Sequence, residues 1–119
     1  MSIPTPERDL SYAADMLDAA TKAVSLSRGK SHADLDADEV FQLAMLHLIQ
    51  IVGEAATKTS SALRNQHPEI PWTSITGTRH RIVHDYAAVD LDVVWDVLTI
   101  YLPELISQLR AFVPEISDS

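Results

Sequence analysis

The stretch from Phe41 to Ala55 limits the fold more than any other part of the chain. Phe41, Ala44, Met45, Leu48, Val52 and Ala55 recur at three- and four-residue spacing, the period of one helical face. Leu43, Leu46, Ile49 and Ile51 widen that face most of the way round. A helix apolar on nearly all sides is buried on more than one side. In a chain of 119 residues, this predicts a helix that builds the core and also meets a second copy of the chain.

The neighbouring segments read as further helices. Thr5 is a plausible N-cap, Pro6 suits the first helical position, and Glu7 suits the positive end of the dipole. Leu10, Ala13, Ala14, Leu17, Ala20 and Val24 follow one face, with Thr21 as a polar interruption. Gly29 is placed to end this helix in a left-handed conformation. Residues 31–38 read as a polar connection, and a second helix starts near Asp36 to Asp38 and runs to about Leu63. Residues 65–72, with Pro68 and Pro71, read as a loop, and a third helix runs from about Trp72 towards Val83. Asp90 looks like the N-cap of a fourth helix, and Pro103 should kink or restart it, leaving a fifth segment to about Val113. Trp72 and Trp95 read as packing residues. Gly53, costly inside a helix, reads as a site of close helix approach. No strand alternation is visible. The expected architecture is all-α, an up-and-down bundle of four to five helices. It occupies 1–119 as a single domain, with short flexible ends at about 1–5 and 114–119.

The absence of cysteine removes disulfides, thiolate metal sites and cysteine nucleophiles. The first nine residues lack the apolar region of a signal peptide, and no apolar run reaches the roughly 18 residues needed to span a bilayer. The expectation is a cytoplasmic protein without a membrane partner. A net charge of −8 argues against broad nucleic-acid binding, which needs many phosphate contacts. The charge is uneven, however. Between Ala55 and His84, Lys58, Arg64, Arg79 and Arg81 stand against Glu69 alone, whereas the remainder is strongly acidic. Four cations in thirty residues are also compatible with ordinary solvated surface.

That basic zone contains Arg79-His80-Arg81-Ile82-Val83-His84-Asp85-Tyr86. Cleaving RNA by internal attack of the ribose 2′-OH needs a proton acceptor, a proton donor for the leaving oxygen, and a cation for the phosphate. Histidine titrates near neutrality, and arginine grips phosphate through a fork of donors. His84 is the candidate for proton transfer and Arg79 for the phosphate, with His80 and Asp85 as supporting residues. On a regular helix Arg79 and His84 would stand roughly 140° apart. They meet only if the helix ends near Val83, if the arginine reaches round, or if two subunits share one cleft. His80 and His84, four apart, would share a helical face. Asp85 either orients an imidazole or pairs with Arg81. The bland alternative for each histidine is a surface residue, and for Tyr86 a packing residue with its hydroxyl at the rim. A metal site on His80, His84 and Asp85 lacks a further histidine or cysteine nearby, so no metal and no cofactor is expected.

The ordered set Ile51-Val52-Gly53-Glu54-Ala55-Ala56, Ile70-Pro71-Trp72, Arg79-x4-His84-x-Tyr86, Val89-Asp90, Val94-Trp95 and Leu102-Pro103 resembles the HepT-like HEPN toxins of prokaryotes. The resemblance spans about Phe41 to Leu109. It implies a homodimer with a composite cleft, acting as a metal-independent endoribonuclease toxin. It also implies a partner, an MNT-type nucleotidyltransferase antitoxin that silences the toxin by adenylylating the tyrosine of the motif, here Tyr86. Two positions depart from the pattern: His80 stands where asparagine is common, and Thr78 where methionine is. The acidic balance suggests a narrow RNA substrate, such as a structured RNA or a tRNA end. The competing reading is a non-catalytic HEPN module that binds nucleotide or protein and regulates the paired transferase.

Overall fold

Helix α1 (Pro6–Ser27) turns a face of small residues inward. Ala13, Met16, Ala19, Ala20 and Ala23 are almost fully buried, and alanines let a neighbouring helix approach closely. That neighbour is α3 (Glu39–Lys58), which buries Phe41, Met45, Ile49, Val52, Ala55 and Ala56. The α1 helix ends as the sequence predicts, with Gly29 at φ +75°. The computed structural model describes residues 6–85 and 88–114, with side chains described outside 79–88. The expected N-cap Thr5, the site residue Tyr86 and all but Pro114 of the two expected flexible ends lie outside the described residues.

Three boundaries differ from the sequence reading. The connection at 31–38 contains a helix, α2 (His32–Ala37). Ser31 accepts from the Asp34 amide while Asp34 accepts from the Ser31 amide, a capping box that satisfies two orphan donors of a very short helix. The same bonds hold the Asp34 carboxyl below its ordinary range. Second, α3 stops at Lys58, not at Leu63. Ser60 starts a separate helix, α4 (Ser61–Gln66), accepting from the Leu63 amide. The break is held from both sides. Arg64 donates to the Ala56 and Thr57 carbonyls, and the buried Asp9 of α1 accepts from the Ser60 amide and hydroxyl. A carboxylate 51 positions upstream is invisible to a local reading.

Third, two strands are present where none was expected. Helix α5 (Trp72–Ile82) is followed by β1 (Val83–Asp85), which pairs antiparallel with β2 (Ala88–Val89). Val83 opposes Val89 and Asp85 opposes Ala88, with a register irregularity between them. Five residues of strand are too few to show alternation.

Asp90 caps α6 (Leu91–Asp96) as predicted, accepting from the Asp92 and Val93 amides. The disturbance expected at Pro103 is a π-helical turn at Val97–Tyr101, ahead of α7 (Leu102–Arg110). Proline brings no N–H and crowds the carbonyl four residues back. The wider turn, with the Leu102 amide bonded to the Val97 carbonyl, lets the backbone pass. Helix α7 lies on α1 and buries Leu102, Leu105, Ile106 and Leu109.

One expectation about membranes needs correcting. Helix α3 is 20 residues long and apolar enough, by length and composition, to cross a membrane. Counting unbroken apolar runs missed it because Gln42, His47 and Gln50 interrupt the run without adding a charge. In this fold α3 is the central helix of the bundle, although Val40 and Leu43 on its outer side are exposed.

At Gly53, α3 faces α5 closely. A Cβ there would sit 3.4 Å from the Ile75 carbonyl oxygen, ordinary contact with little to spare. Gly53→Ala should therefore fold normally and gain up to about 1 kcal/mol from helix propensity. Gly53→Val should overfill the contact and lose about 1–3 kcal/mol. Urea unfolding of the three proteins reads both signs.

Candidate active site

Arg79 lies in the last turns of α5 and His84 in β1. The helical wheel that separates them by more than a third of a turn therefore does not apply, because the helix ends at Ile82. The helix stops before the histidine, which is the first of the conditions that the sequence left open. The same finding removes two helical pairings. His80 is helical and His84 is not, so they share no helix face, and the metal reading loses the spacing that motivated it. Arg81 and Asp85 likewise fall on different elements. The side chains of Arg79, His80, Arg81, His84 and Asp85, and the whole of Tyr86, lie outside the described residues. Among the described residues no group of three or more His, Asp or Glu is placed to hold a metal.

The surroundings of the motif are described. Immediately before it, Thr78 is half-buried and donates its hydroxyl to the Ser74 carbonyl at 2.6 Å. That proton is committed to the helix backbone. Thr78 also lines a cavity of about 400 Å³ bounded by α3, α5, the π turn and α7. Its walls include Val52, Ile75, Val97 and Leu105, and its polar lining includes Glu69, Asp96, Glu104 and Gln108. Among the described residues no lysine or arginine lines it. The described carboxylates, Glu69, Asp96 and Glu104, would repel phosphate. The Gln108 amide donates to the Glu69 carbonyl, and its oxygen is buried with no partner among the described residues. Tyr101 lines the cavity, and Ile100 beside it is also exposed.

The basic zone is smaller in effect than its composition suggested. Arg64 is spent on the C-terminal carbonyls of α3, and it also donates to the Thr59 hydroxyl. The Lys58 ammonium lies 5.9 Å from the centre of the Tyr12 ring. Glu54 is exposed and accepts from Gln50. Trp72 is buried with its indole N–H on the His67 carbonyl, a packing residue as expected. Trp95 is half-buried against the ring of His32. The group around His32 escaped the sequence reading. Its signal, an i,i+4 pair with Asp36, becomes legible only once α2 is seen to be a helix.

Residues 16–112 match the family described as Ribonuclease HepT-like, and the chain belongs to it. Among its relatives is a protein of Caldanaerobacter subterraneus subsp. tengcongensis, provisionally named an RNase. It is 27% identical over 110 residues, covering 92% of this chain and 94% of the relative. A protein of Thermococcus cleftensis named "Probable ribonuclease HepT" is 29% identical over 94 residues, covering 79% of this chain and 86% of the relative. A Methanocaldococcus jannaschii protein, also provisionally named an RNase, is 22% identical over 112 residues and covers 93% of both chains. No solved structure matches the chain. The family and the names of these relatives support ribonuclease activity.

The ribbon β1–β2 passes directly into α6 through Asp90, whose carboxylate holds two amides of the first turn. Asp90→Ala should lower stability by about 1 kcal/mol, with Asp90→Asn close to wild type. Thermal unfolding of the two variants measures the difference.

Proposed function

We propose that this chain is the toxin of a toxin–antitoxin pair, a metal-independent endoribonuclease whose cleft forms between two copies. The observation that carries the reading is the Arg79-x4-His84-x-Tyr86 pattern within a chain of the HepT-like ribonuclease family. Arg79 binds the scissile phosphate through charge-assisted hydrogen bonds. His84 takes the proton from the 2′-OH, whose oxygen attacks phosphorus. The P–O5′ bond breaks, and the leaving oxygen receives a proton from an imidazolium. The products are a 2′,3′-cyclic phosphate and a 5′-hydroxyl. In a dimer the second imidazole is His84 of the other subunit or His80 of either, and Asp85 orients the ring. Removing one partner of such a set costs roughly 10²–10⁴-fold in rate.

Several features support assembly around the motif. Exposed Ile100 and Tyr101 stand beside the cavity that Thr78 lines, and exposed Val40 and Leu43 leave apolar area on α3. The substrate is a narrow class of RNA, such as a tRNA end, because the acidic surface disfavours general binding. The partner is an MNT-type nucleotidyltransferase that moves AMP from ATP onto the Tyr86 hydroxyl, releasing pyrophosphate. The added adenylate brings negative charge and bulk to the place of the substrate phosphate. The acid-lined cavity favours a second reading, a non-catalytic module that regulates the transferase by binding it.

Total RNA incubated with the purified protein in EDTA distinguishes the two. Wild type should cut a small set of RNAs, with His84→Ala and Arg79→Ala slower by at least about a hundredfold. Identical RNA profiles for wild type and His84→Ala would reject cleavage by this site. Mass spectrometry after incubation with the transferase and ATP should place the adenylate on Tyr86, and Tyr86→Phe should abolish it. An adenylate found only elsewhere would reject the regulatory account.

A further inference from the structure

His32 opens α2 with its ring between two carboxylates. Its Nδ1 lies 3.2 Å from Asp36 of the same helix, and its Nε2 lies 2.7 Å from Asp92 of α6, sixty positions away. The ring also packs against Trp95 of α6, centroids 5.7 Å apart. Ionised carboxylates only accept hydrogen bonds, and a neutral imidazole has one N–H to give. Both contacts are hydrogen bonds only when the ring carries both protons. The nearby carboxylates of Asp34, Asp38 and Asp90 are engaged in caps, on the amides of Ser31, Phe41 and the first turn of α6. Asp36 and Asp92 are thus the acids that answer the ring, one from each helix. Asp92 sits in the first turn of α6, one residue after Leu91 and two after the cap Asp90. Strand β2 ends at Val89, and its partner β1 holds His84.

We propose that His32 is a proton-operated clamp: its imidazolium ties α2 to the start of α6 and so steadies the β1–β2 ribbon that carries His84. The hydrogen bond to its own backbone, then the bond to Asp92 and the charges of Asp36 and Asp92, raise the His32 pKa above its ordinary 6.5, with burial opposing. A raised folded-state pKa gives stability that is fully present below about 6.5. That stability is lost as pH rises through the folded value. Loss of the proton leaves one ring nitrogen with a lone pair towards a carboxylate and ends the ionic attraction to both acids, so that a single hydrogen bond remains. The clamp itself requires no RNA. Its effect on cleavage rests on the proposed nuclease reading, in which His32 is a positioning residue.

The test is a pH titration by NMR of the full chain, following the His32 ring nitrogens and the Val83 and Val89 amides. Below the His32 midpoint both ring nitrogens should be protonated. One transition of the two amides should share that midpoint, vanish in His32→Gln and persist in His84→Ala, which removes the titrating group within β1 itself. Exchange of the ribbon amides, corrected for the intrinsic pH effect, should quicken about two- to fivefold as His32 deprotonates, the scale of an exposed pair. His32→Arg, with a permanent cation, should keep exchange slow across the range. A His32 titration that leaves both amides unchanged, or a transition that persists in His32→Gln, would overturn the clamp. If the amides respond but no RNA is cut at any pH, the clamp stands and the nuclease reading falls.

Discussion

The contact between α1 and α3 underlies the rest of the structure. Ala13, Ala20 and Ala23 contribute almost no bulk, so Met45, Ile49, Val52 and Ala56 can seat deeply. Each fully buried aliphatic side chain contributes about 1.5–3 kcal/mol by leaving water. That seam fixes α3, and α3 in turn supports α5 across Gly53, where the Ile75 carbonyl is within contact distance of any added carbon. The motif therefore rides on a helix whose position is set by the core, while its proposed proton carrier sits one step beyond that helix, on a two-stranded ribbon. Rigid support for the arginine and a lighter element for the histidine follow from the same packing.

Much of this was legible in the residues. The apolar period of Phe41 to Ala55, Gly29 as a terminator and Asp90 as a cap are local signals, because each depends on atoms within a few positions. What escaped was either too short or held from a distance. Helix α2 has six residues and shows no period, and only the reciprocal bonds of Ser31 and Asp34 define it. The break after Lys58 depends partly on Asp9, and no window around Ser60 contains Asp9. The helix read from about Trp72 towards Val83 does end at Ile82, but the strands that follow it are too short to show any alternation in the residues.

Charge followed a similar course. Counting cations between Ala55 and His84 marked a basic region, but a count does not tell which cations are free to meet a ligand. Arg64 serves backbone carbonyls, and the cavity beside the motif is lined by acids. In the proposed nuclease, holding phosphate is the part given to the arginine of the motif.

The π turn at Val97–Tyr101 works as a phase correction. A single extra residue in a helical turn rotates everything after it by about 100°. Val94, Val97 and Leu98 lie inward before that offset, and Leu102, Leu105 and Leu109 lie inward after it, while Ile100 and Tyr101 are left pointing to solvent. Shortening the turn by one residue would spin the last nine-residue helix out of step, carrying its leucines away from α1. The outward apolar pair and the correctly seated C-terminal helix are thus two results of the same miscount.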